Sequence, residues 1–186
     1  MVKNESTKCQ SGKLMVWFLK YYPVRIKNVG EEQKAARQTI WDFKDGRSYE
    51  EVAQMTAERL KEQFGDGLKD IVFSCIPASS AEKNELRYKR FSERVCELAH
   101  TINGYPHIQV SGERMTVHDH RKNEQEARNA DIVSFDKSFF SGKKVLLFDD
   151  VISKGISYAN IANRLEQFGA EVLGGFFLGK TFYKVR

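Results

Sequence analysis

Two adjacent carboxylates, Asp149 and Asp150, follow four apolar residues and precede the short loop Val151–Ser157, which contains Ser153, Gly155 and Ser157. The apolar run Val145–Phe148 is typical of a buried strand, and ligands of open α/β sheets bind beyond the carboxyl ends of such strands. Gly155 allows the backbone to approach a ligand closely. A helix that begins after the loop would present free backbone N–H groups, which bind phosphate. The segment therefore predicts an anion site beside a pair of acids.

The two acids restrict the kind of anion that fits, since carboxylates repel a bare phosphate. A ribose 5-phosphate offers hydroxyl groups next to its phosphate, and each hydrogen bond to a carboxylate contributes about 1.5–3 kcal/mol. Adjacent acids also occur at strand ends of receiver domains and Mg²⁺ phosphatases, and an aspartate can simply cap a helix. The glycine and serines directly after the acids disfavour a receiver domain. We therefore predict a sugar-phosphate site with the loop residues Val151, Ile152, Ser153, Lys154, Gly155, Ile156 and Ser157.

Short apolar runs alternate with helical periodicities along the chain. This alternation predicts the α/β class, with a central, mainly parallel sheet flanked by helices. The predicted strands are Asp70–Cys75, His107–Val110, Val145–Phe148 and Val172–Leu178, and the predicted helices include a face from Phe91 to Ile102 and the segment Tyr158–Phe168. Residues 1–66 are predicted to form an N-terminal arm and helical preface packed on a core of residues 67–186. Within the preface, Leu14–Tyr22 fits an edge strand or packed arm, and Ser48 with Glu51 has the form of a capping box.

The composition indicates the class of protein but does not identify its chemistry. A length of 186 residues with 41% hydrophobic content predicts one domain with a real core. The net charge of +5 suits phosphate-bearing partners, either nucleic acid or a sugar-phosphate substrate, and does not choose between them. Three widely spaced cysteines predict neither a disulfide framework nor a zinc site, so a reducing cytoplasm is expected. No apolar run reaches the roughly 18 residues of a membrane span, so neither a membrane partner nor a signal peptide is expected.

A basic helical face follows the first predicted strand of the core. Arg87, Arg90 and Arg94 are spaced by three and four residues, so they share one side of a helix. Such a face is more often simply solvated, but it could neutralise an anion at the preceding loop. Lys89 and Arg90 are the preferred candidates because they lie nearer that loop in sequence than Arg94.

The segment Val145–Ser157, VLLFDDVISKGIS, resembles the phosphoribosyl pyrophosphate (PRPP) motif of type I phosphoribosyltransferases. Lys154 and Ile156 depart from that motif, which commonly has small residues there. More of the chain, from about residue 17 to 180, is weakly similar to the competence protein F (ComF) subgroup, although the zinc ribbon of that subgroup is missing. The similar segments are Tyr21–Pro23, Phe43–Gly46, Pro77, Lys89–Ser92, and Gln125 with Arg128 and Asn129.

The resemblance implies a type I phosphoribosyltransferase fold and assigns roles to particular residues. Asp149 and Asp150 would be catalytic, holding the ribose diol directly or through Mg²⁺, and the loop after them would hold the 5′-phosphate. The strand-to-helix loop Ile76, Pro77, Ala78, Ser79 and Ser80 would bind pyrophosphate, although a serine-rich turn is an equal alternative. A flexible lid would cover the site at Ser111–Asn129. Possible pyrophosphate contacts are Lys89, Arg90, Arg114, Arg121 and Lys122.

Two classes of function follow from the resemblance. The first is an enzyme that binds Mg²⁺·PRPP and transfers the phosphoribosyl group to a nitrogen nucleophile with release of pyrophosphate. The second is a non-catalytic ComF-like module that binds PRPP or a nucleotide and acts in DNA uptake or regulation through nucleic-acid or protein partners. The acceptor base cannot be read from the sequence. A homodimer is compatible with the resemblance, because dimers are common in that fold.

Overall fold

The computed structural model describes residues 9–111 and 132–184 of the chain. Seven strands and five α-helices follow one another in these residues, with 3-10 helices at Gly65–Asp70 and Tyr105–His107. In chain order they are β1 (Leu14–Tyr21), α1 (Glu31–Lys44), α2 (Tyr49–Phe64), β2 (Ile71–Cys75), α3 (Ala81–Ala99), β3 (Ile102–Asn103), β4 (Ile108–Val110), β5 (Val133–Phe135), α4 (Lys137–Phe140), β6 (Lys144–Ile152), α5 (Ile156–Gln167) and β7 (Glu171–Thr181).

The main sheet has five strands in the order β1-β7-β6-β2-β3, and all four neighbouring pairs run parallel. β6 lies at the centre, and Val145–Phe148 are completely buried there because both faces of a parallel sheet are covered. The predicted α/β class with a parallel sheet flanked by helices is therefore confirmed. β4 and β5 form a separate antiparallel pair. None of the described helices is long and apolar enough to cross a membrane.

Helices cover both faces of the main sheet, so the core divides into two clusters. On one face α1, α2 and α3 pack against the sheet, with the Phe91 and Phe148 rings 4.4 Å apart between centroids and Phe43 5.0 Å from Phe91. On the other face α5 packs against β6 and β7, and the Tyr158 ring contacts Phe177 edge to face at 5.8 Å. The two faces are called the α3 face and the α5 face below.

The first strand, β1, belongs to the main sheet as an edge strand, in parallel register with β7 from Leu14 opposite Gly174 to Tyr21 opposite Thr181. Gly174 permits this pairing, because a Cβ atom there would lie 2.3 Å from the Leu14 carbonyl oxygen. Of the two alternatives predicted for Leu14–Tyr22, the edge strand is confirmed. The helices α1 and α2 share the α3-face core with the sheet. A domain boundary near residue 66 stays a prediction.

Several local predictions were wrong. Ser48 begins α2 with φ of 51° and its side chain makes no capping hydrogen bond, so the predicted capping box with Glu51 does not form. Ile102 lies in β3 and not on the preceding helix, because His100 turns left-handed at φ of 56° and ends α3. The strand predicted at His107–Val110 is confirmed as β4, but it pairs with β5 outside the main sheet. β6 continues through both acids to Ile152, because β7 keeps pairing with it as far as Lys180.

Candidate functional site

The side chain of Asp149 lies at the end of β6 and faces α3. Its Oδ1 atom accepts hydrogen bonds from the hydroxyl of Tyr88, at 3.0 Å, and from the backbone N–H of Asp150, at 2.8 Å. Tyr88 is completely buried on the α3 face. Burial, and secondly the charge of Asp150, raise the pKa of Asp149 well above the usual value for an aspartate. The site therefore contains a carboxylate that holds its proton unusually tightly.

Asp150 is neutralised by two cations that come from different helices. Its Oδ2 atom pairs with the guanidinium of Arg87 on α3, and its Oδ1 atom lies 3.5 Å from the Nζ atom of Lys44 at the end of α1. Asp150 is only 7% exposed, and Arg87 also donates to the Lys44 carbonyl oxygen at 3.4 Å. A buried charge needs such partners, since an isolated carboxylate away from water is strongly disfavoured.

Lys44, Arg87 and Tyr88 were not predicted as members of this cluster. The helical phase of α3 indicates two of them. Arg87 stands four residues before the buried Phe91, and Tyr88 stands three before it, so both lie toward the sheet. Lys44 could not be found in this way, because only the packing of α1 against the sheet brings it near Asp150.

The loop after the acids turns sharply at Gly155, which has φ of +74° and precedes the first residue of α5. Val151 and Ile152 still belong to β6, and Ile156 and Ser157 form the first turn of the helix. The hydroxyl groups of Ser153 and Thr181 lie 2.5 Å apart, which ties the loop to the end of β7. Lys154 is exposed.

In the described part of the chain, no side chain caps the N-terminus of α5. Two other helices differ, because Ser80 caps α3 by accepting from the Lys83 N–H and Asp136 caps α4 by accepting from the Phe139 N–H. The first N–H groups of a helix have no partner within the helix, and they attract anions. The N-terminus of α5 can therefore receive a phosphate group directly beyond the two acids.

The second predicted loop, Ile76–Ser80, lies beside the acids but is largely closed. The N–H of Ile76 donates to the Phe148 carbonyl oxygen at 2.8 Å, directly before Asp149. The N–H of Ala78 donates to Asn84 at 3.0 Å, and Pro77 has no N–H group. Three of the five residues therefore have no free backbone N–H group for an anion, so the loop offers fewer anion donors than its composition suggests.

The other predicted basic residues do not join this cluster. Lys89 is exposed and pairs with Glu85 at 2.8 Å, and Arg90 is also exposed. Arg94 pairs with Glu50 on α2 and with Glu97 on α3. The remaining predictions, the lid and the residues Arg114, Arg121, Lys122, Gln125, Arg128 and Asn129, lie outside the described residues.

The donor set at the end of β6 fits Mg²⁺. Magnesium prefers oxygen ligands and is commonly held by one or two carboxylates together with phosphate groups of a substrate. Asp149 and Asp150 provide such carboxylates, and the raised pKa of Asp149 indicates negative charge that a cation would relieve. Among the described residues, no group of three or more His, Cys, Asp and Glu side chains could hold a metal alone. Any Mg²⁺ here would depend on ligand oxygens.

Solved structures with a similar chain trace include two phosphoribosyltransferases and a phosphoribosylpyrophosphate synthetase. A hypoxanthine-guanine phosphoribosyltransferase from Bacillus anthracis is 16% identical with a TM-score of 0.45, over 75% of this chain and 73% of that one. A hypoxanthine phosphoribosyltransferase from Staphylococcus aureus is 14% identical with a TM-score of 0.43, over 75% and 69%. A phosphoribosylpyrophosphate synthetase from Mycobacterium smegmatis is 18% identical with a TM-score of 0.38, over 67% and 33%.

No protein-family model matches the sequence, and no curated protein matches it. The sequence identities to these three structures are too low to assign their substrates or activities to this chain.

Proposed function

We propose that this chain is a phosphoribosyltransferase-type protein that binds Mg²⁺·PRPP and transfers the phosphoribosyl group to a nitrogen nucleophile. The observation that carries the proposal is the acid pair at the end of β6, which is followed after four residues by the uncapped N-terminus of α5 at Gly155. This arrangement matches the chemistry of a ribose 5-phosphate, whose hydroxyl groups need acceptors and whose phosphate needs N–H donors.

In the proposed complex the N–H groups at the start of α5 bind the 5′-phosphate, with the Ser153 and Ser157 hydroxyls as further donors. Asp149 and Asp150 face the ribose, directly or across the metal. Mg²⁺ would supply positive charge to the pyrophosphate oxygens as the bond between the anomeric carbon and pyrophosphate breaks. The nucleophile's nitrogen forms the new bond to that carbon and the pyrophosphate leaves with the bonding electrons.

The charge cluster supports the same step electrostatically. Positive charge develops on the ribose near the two carboxylates, and negative charge develops on the departing pyrophosphate. Arg87 and Lys44 already lie at this end of the sheet, paired with Asp150. We propose that they exchange part of this pairing for the pyrophosphate when the ligand binds. Ser79, Ser80 and the basic residues Lys89, Arg90, Arg114, Arg121 and Lys122 remain proposed pyrophosphate contacts.

A second candidate function is a non-catalytic, ComF-like module that binds PRPP or a nucleotide and acts through nucleic-acid or protein partners. One observation favours it: each carboxylate oxygen of Asp150 faces a cation of the protein itself, which leaves less of the acid for catalysis. Binding to DNA or RNA would weaken steeply as the salt concentration rises, because counterions are released from the phosphates. Binding without turnover, together with this salt dependence, would identify the second function.

The first experiment is calorimetry of PRPP binding with and without Mg²⁺, on the wild type and on Asp149→Asn. Asparagine keeps the Oδ1 acceptor for Tyr88 and for the Asp150 N–H, so the variant should fold while losing the charge. We expect Mg²⁺-dependent binding in the wild type that is lost in the variant. Asp66→Asn, which changes an exposed acid away from the site, is the matched control. PRPP binding that is equally strong without Mg²⁺ and in the Asp149→Asn variant would refute the proposal.

A further inference from the structure

Two segments that are far apart in the sequence meet where β1 and β7 end. The N–H of Phe182 donates to the Tyr21 carbonyl oxygen at 2.8 Å, and the Tyr22 and Phe182 rings lie 5.9 Å apart between centroids. Residues 20–27 and 182–184 therefore form one continuous surface, which is called the strand-end surface below.

The strand-end surface exposes large apolar side chains. Val24 lies in a tight turn, which the N–H of Ile26 closes by donating to the Pro23 carbonyl oxygen at 2.8 Å, and it is 61% exposed. On the neighbouring segment Tyr183 is 51% exposed. An aliphatic side chain at the tip of a turn makes few contacts with its own protein, so it is available to a partner.

Trp41 of α1 extends this surface. The guanidinium of Arg37 lies 6.0 Å from the centre of the Trp41 ring and donates to the Tyr22 carbonyl oxygen at 2.9 Å. In the described part of the chain six large hydrophobic side chains are exposed, and three of them, Val24, Trp41 and Tyr183, lie together here. Grouped apolar residues at a surface mark a contact site, whereas scattered ones need no explanation.

The strand-end surface is also basic. Its two segments contain no Asp or Glu, and four of their cations are exposed: Lys20, Arg25, Lys27 and Lys184. Two acids of α1 that follow in the sequence are already in ion pairs, Glu31 with Lys34 and Asp42 with Arg47. The positive charge of the surface is therefore left for an anionic partner.

Exposed rings and an aliphatic tip beside cations fit the surface of an anionic lipid bilayer. Tyrosine and tryptophan rings settle at the level of the lipid headgroups, and lysine and arginine are attracted to anionic headgroups. Val24 favours a bilayer over a nucleic acid, because an aliphatic side chain has no ring to stack on a base. A contact at the bilayer surface needs no membrane-spanning run, so it differs from the membrane partner that the sequence excluded.

We infer that the strand-end surface binds peripherally to an anionic lipid bilayer. Val24 and Trp41 enter the interface between headgroups and acyl chains, and the exposed cations pair with headgroup phosphates. Arg25 lies 5.3 Å from the centre of the Tyr183 ring, so this pair brings a charge and an aromatic ring to the headgroups together. The acid pair at the end of β6 takes no part, so the inference does not depend on the proposed phosphoribosyl chemistry.

The inference is tested with vesicles of phosphatidylglycerol and phosphatidylcholine in equal amounts, compared with vesicles of phosphatidylcholine alone. In Trp17→Phe protein, Trp41 is the single remaining tryptophan. Its emission should shift to shorter wavelength in a saturable way with the anionic vesicles only, and the protein should float with them in a density gradient. Protein that shows neither the shift nor flotation with the anionic vesicles overturns the inference.

Two matched variants test the apolar contact. Val24→Asp should bind the anionic vesicles about tenfold more weakly or worse, because it loses an apolar side chain and adds a negative charge. Leu86→Asp is the control, since Leu86 is 58% exposed on α3 and lies outside the strand-end surface, and it should bind as the wild type does. Both residues are exposed, so circular dichroism should be unchanged. Equal vesicle affinities of the two variants would contradict the inference.

Two double variants test the charge. Arg25→Ala with Lys27→Ala should weaken vesicle binding about tenfold or more, because each lysine or arginine near an anionic surface contributes roughly a factor of five. Lys61→Ala with Lys69→Ala removes the same charge at exposed positions elsewhere and should have little effect. An equal loss in both double variants would show only the general attraction of a basic protein and would overturn the inference.

The remaining outcomes separate this inference from other binding. If a single-stranded oligonucleotide binds through Arg25 and Lys27 while vesicles do not bind, the surface belongs to a nucleic acid and the inference is overturned. Asp149→Asn should bind the vesicles as the wild type does while it loses Mg²⁺-dependent PRPP binding. Failure of the proposed function and failure of this inference can therefore be told apart.

Discussion

Replacing Asp149 with asparagine should stabilise the protein while it destroys the proposed site. The raised pKa of Asp149 means that the folded chain binds this proton more tightly than the unfolded chain does. Ionised Asp149 is therefore a cost to the fold, from its own burial and from Asp150 beside it. Asparagine removes the charge and keeps the acceptor for both hydrogen bonds.

The magnitude follows from the charges around the pair. Two like charges 4 Å apart repel by about 4 kcal/mol at an effective dielectric constant of about 20. Arg87 and Lys44 face Asp150 and offset much of this repulsion, and Asp149 is only partly buried. We therefore expect a gain in unfolding free energy of about 1–2 kcal/mol at pH 8, which corresponds to an increase of about 2–8 °C in melting temperature for a chain of this size.

The pH dependence identifies the cause. Stability from a group whose folded-state pKa is raised is fully present below the unfolded pKa, about 4 for aspartate, and is lost as the pH rises toward the raised value. Asparagine does not titrate, so the advantage of Asp149→Asn over wild type should vanish near pH 4 and grow with pH. Chemical denaturation from pH 4 to 8, with Asp66→Asn as the control, measures this difference. A variant that is equally or less stable than wild type at pH 8 would refute the electrostatic account.

Three further changes probe other parts of the structure. Arg87→Ala should cost about 2–4 kcal/mol of unfolding free energy, slightly less than the usual cost of breaking a buried ion pair, because Lys44 still faces Asp150. In urea denaturation the control Arg94→Ala, whose ion pairs are exposed, should change little. Similar losses of stability in both variants would contradict the buried ion pair at Asp150. Gly155→Ala should cost about 1 kcal/mol, because φ of +74° is unfavourable for alanine although the nearest atom lies 3.7 Å from the new Cβ; an unchanged urea midpoint would show that the turn relaxes. Gly174→Ala should cost about 1–3 kcal/mol or more, because its Cβ would collide with the Leu14 carbonyl oxygen. Hydrogen exchange should then show that β1 loses protection in Gly174→Ala but keeps it in Gly155→Ala. If β1 stays protected in Gly174→Ala as well, the collision with the Leu14 carbonyl oxygen does not occur.

The sequence predicted the elements that depend on local pattern. Val145–Phe148 is apolar without interruption, which requires burial on both faces, and the structure places it in the central strand. Gly155 was predicted to let the backbone approach a ligand closely, and the structure places it at φ of +74° directly before α5. Helix and strand types follow from such short-range signals.

The features that the sequence did not predict depend on contacts between distant segments. Lys44 and Asp150 are 106 positions apart, and only the packing of α1 on the α3 face brings them together. The exact end of β6 was missed because β7 extends the pairing past the acids. Gln10 donates to Asn163 and Glu166, which lie more than 150 positions away. Neither periodicity nor composition carries information about such pairs.

The place of β1 in the sheet has a consequence for how the chain is made. Among the described strands it pairs only with β7, whose residues 171–181 are translated about 150 positions after β1. Until then the segment LMVWFLKY lacks the one strand it pairs with in the described part of the chain, and its apolar and aromatic side chains can contact other chains. Synthesis that stops before residue 171 should therefore release an unpaired, aggregation-prone segment, because β1 is protected only once β7 has been made.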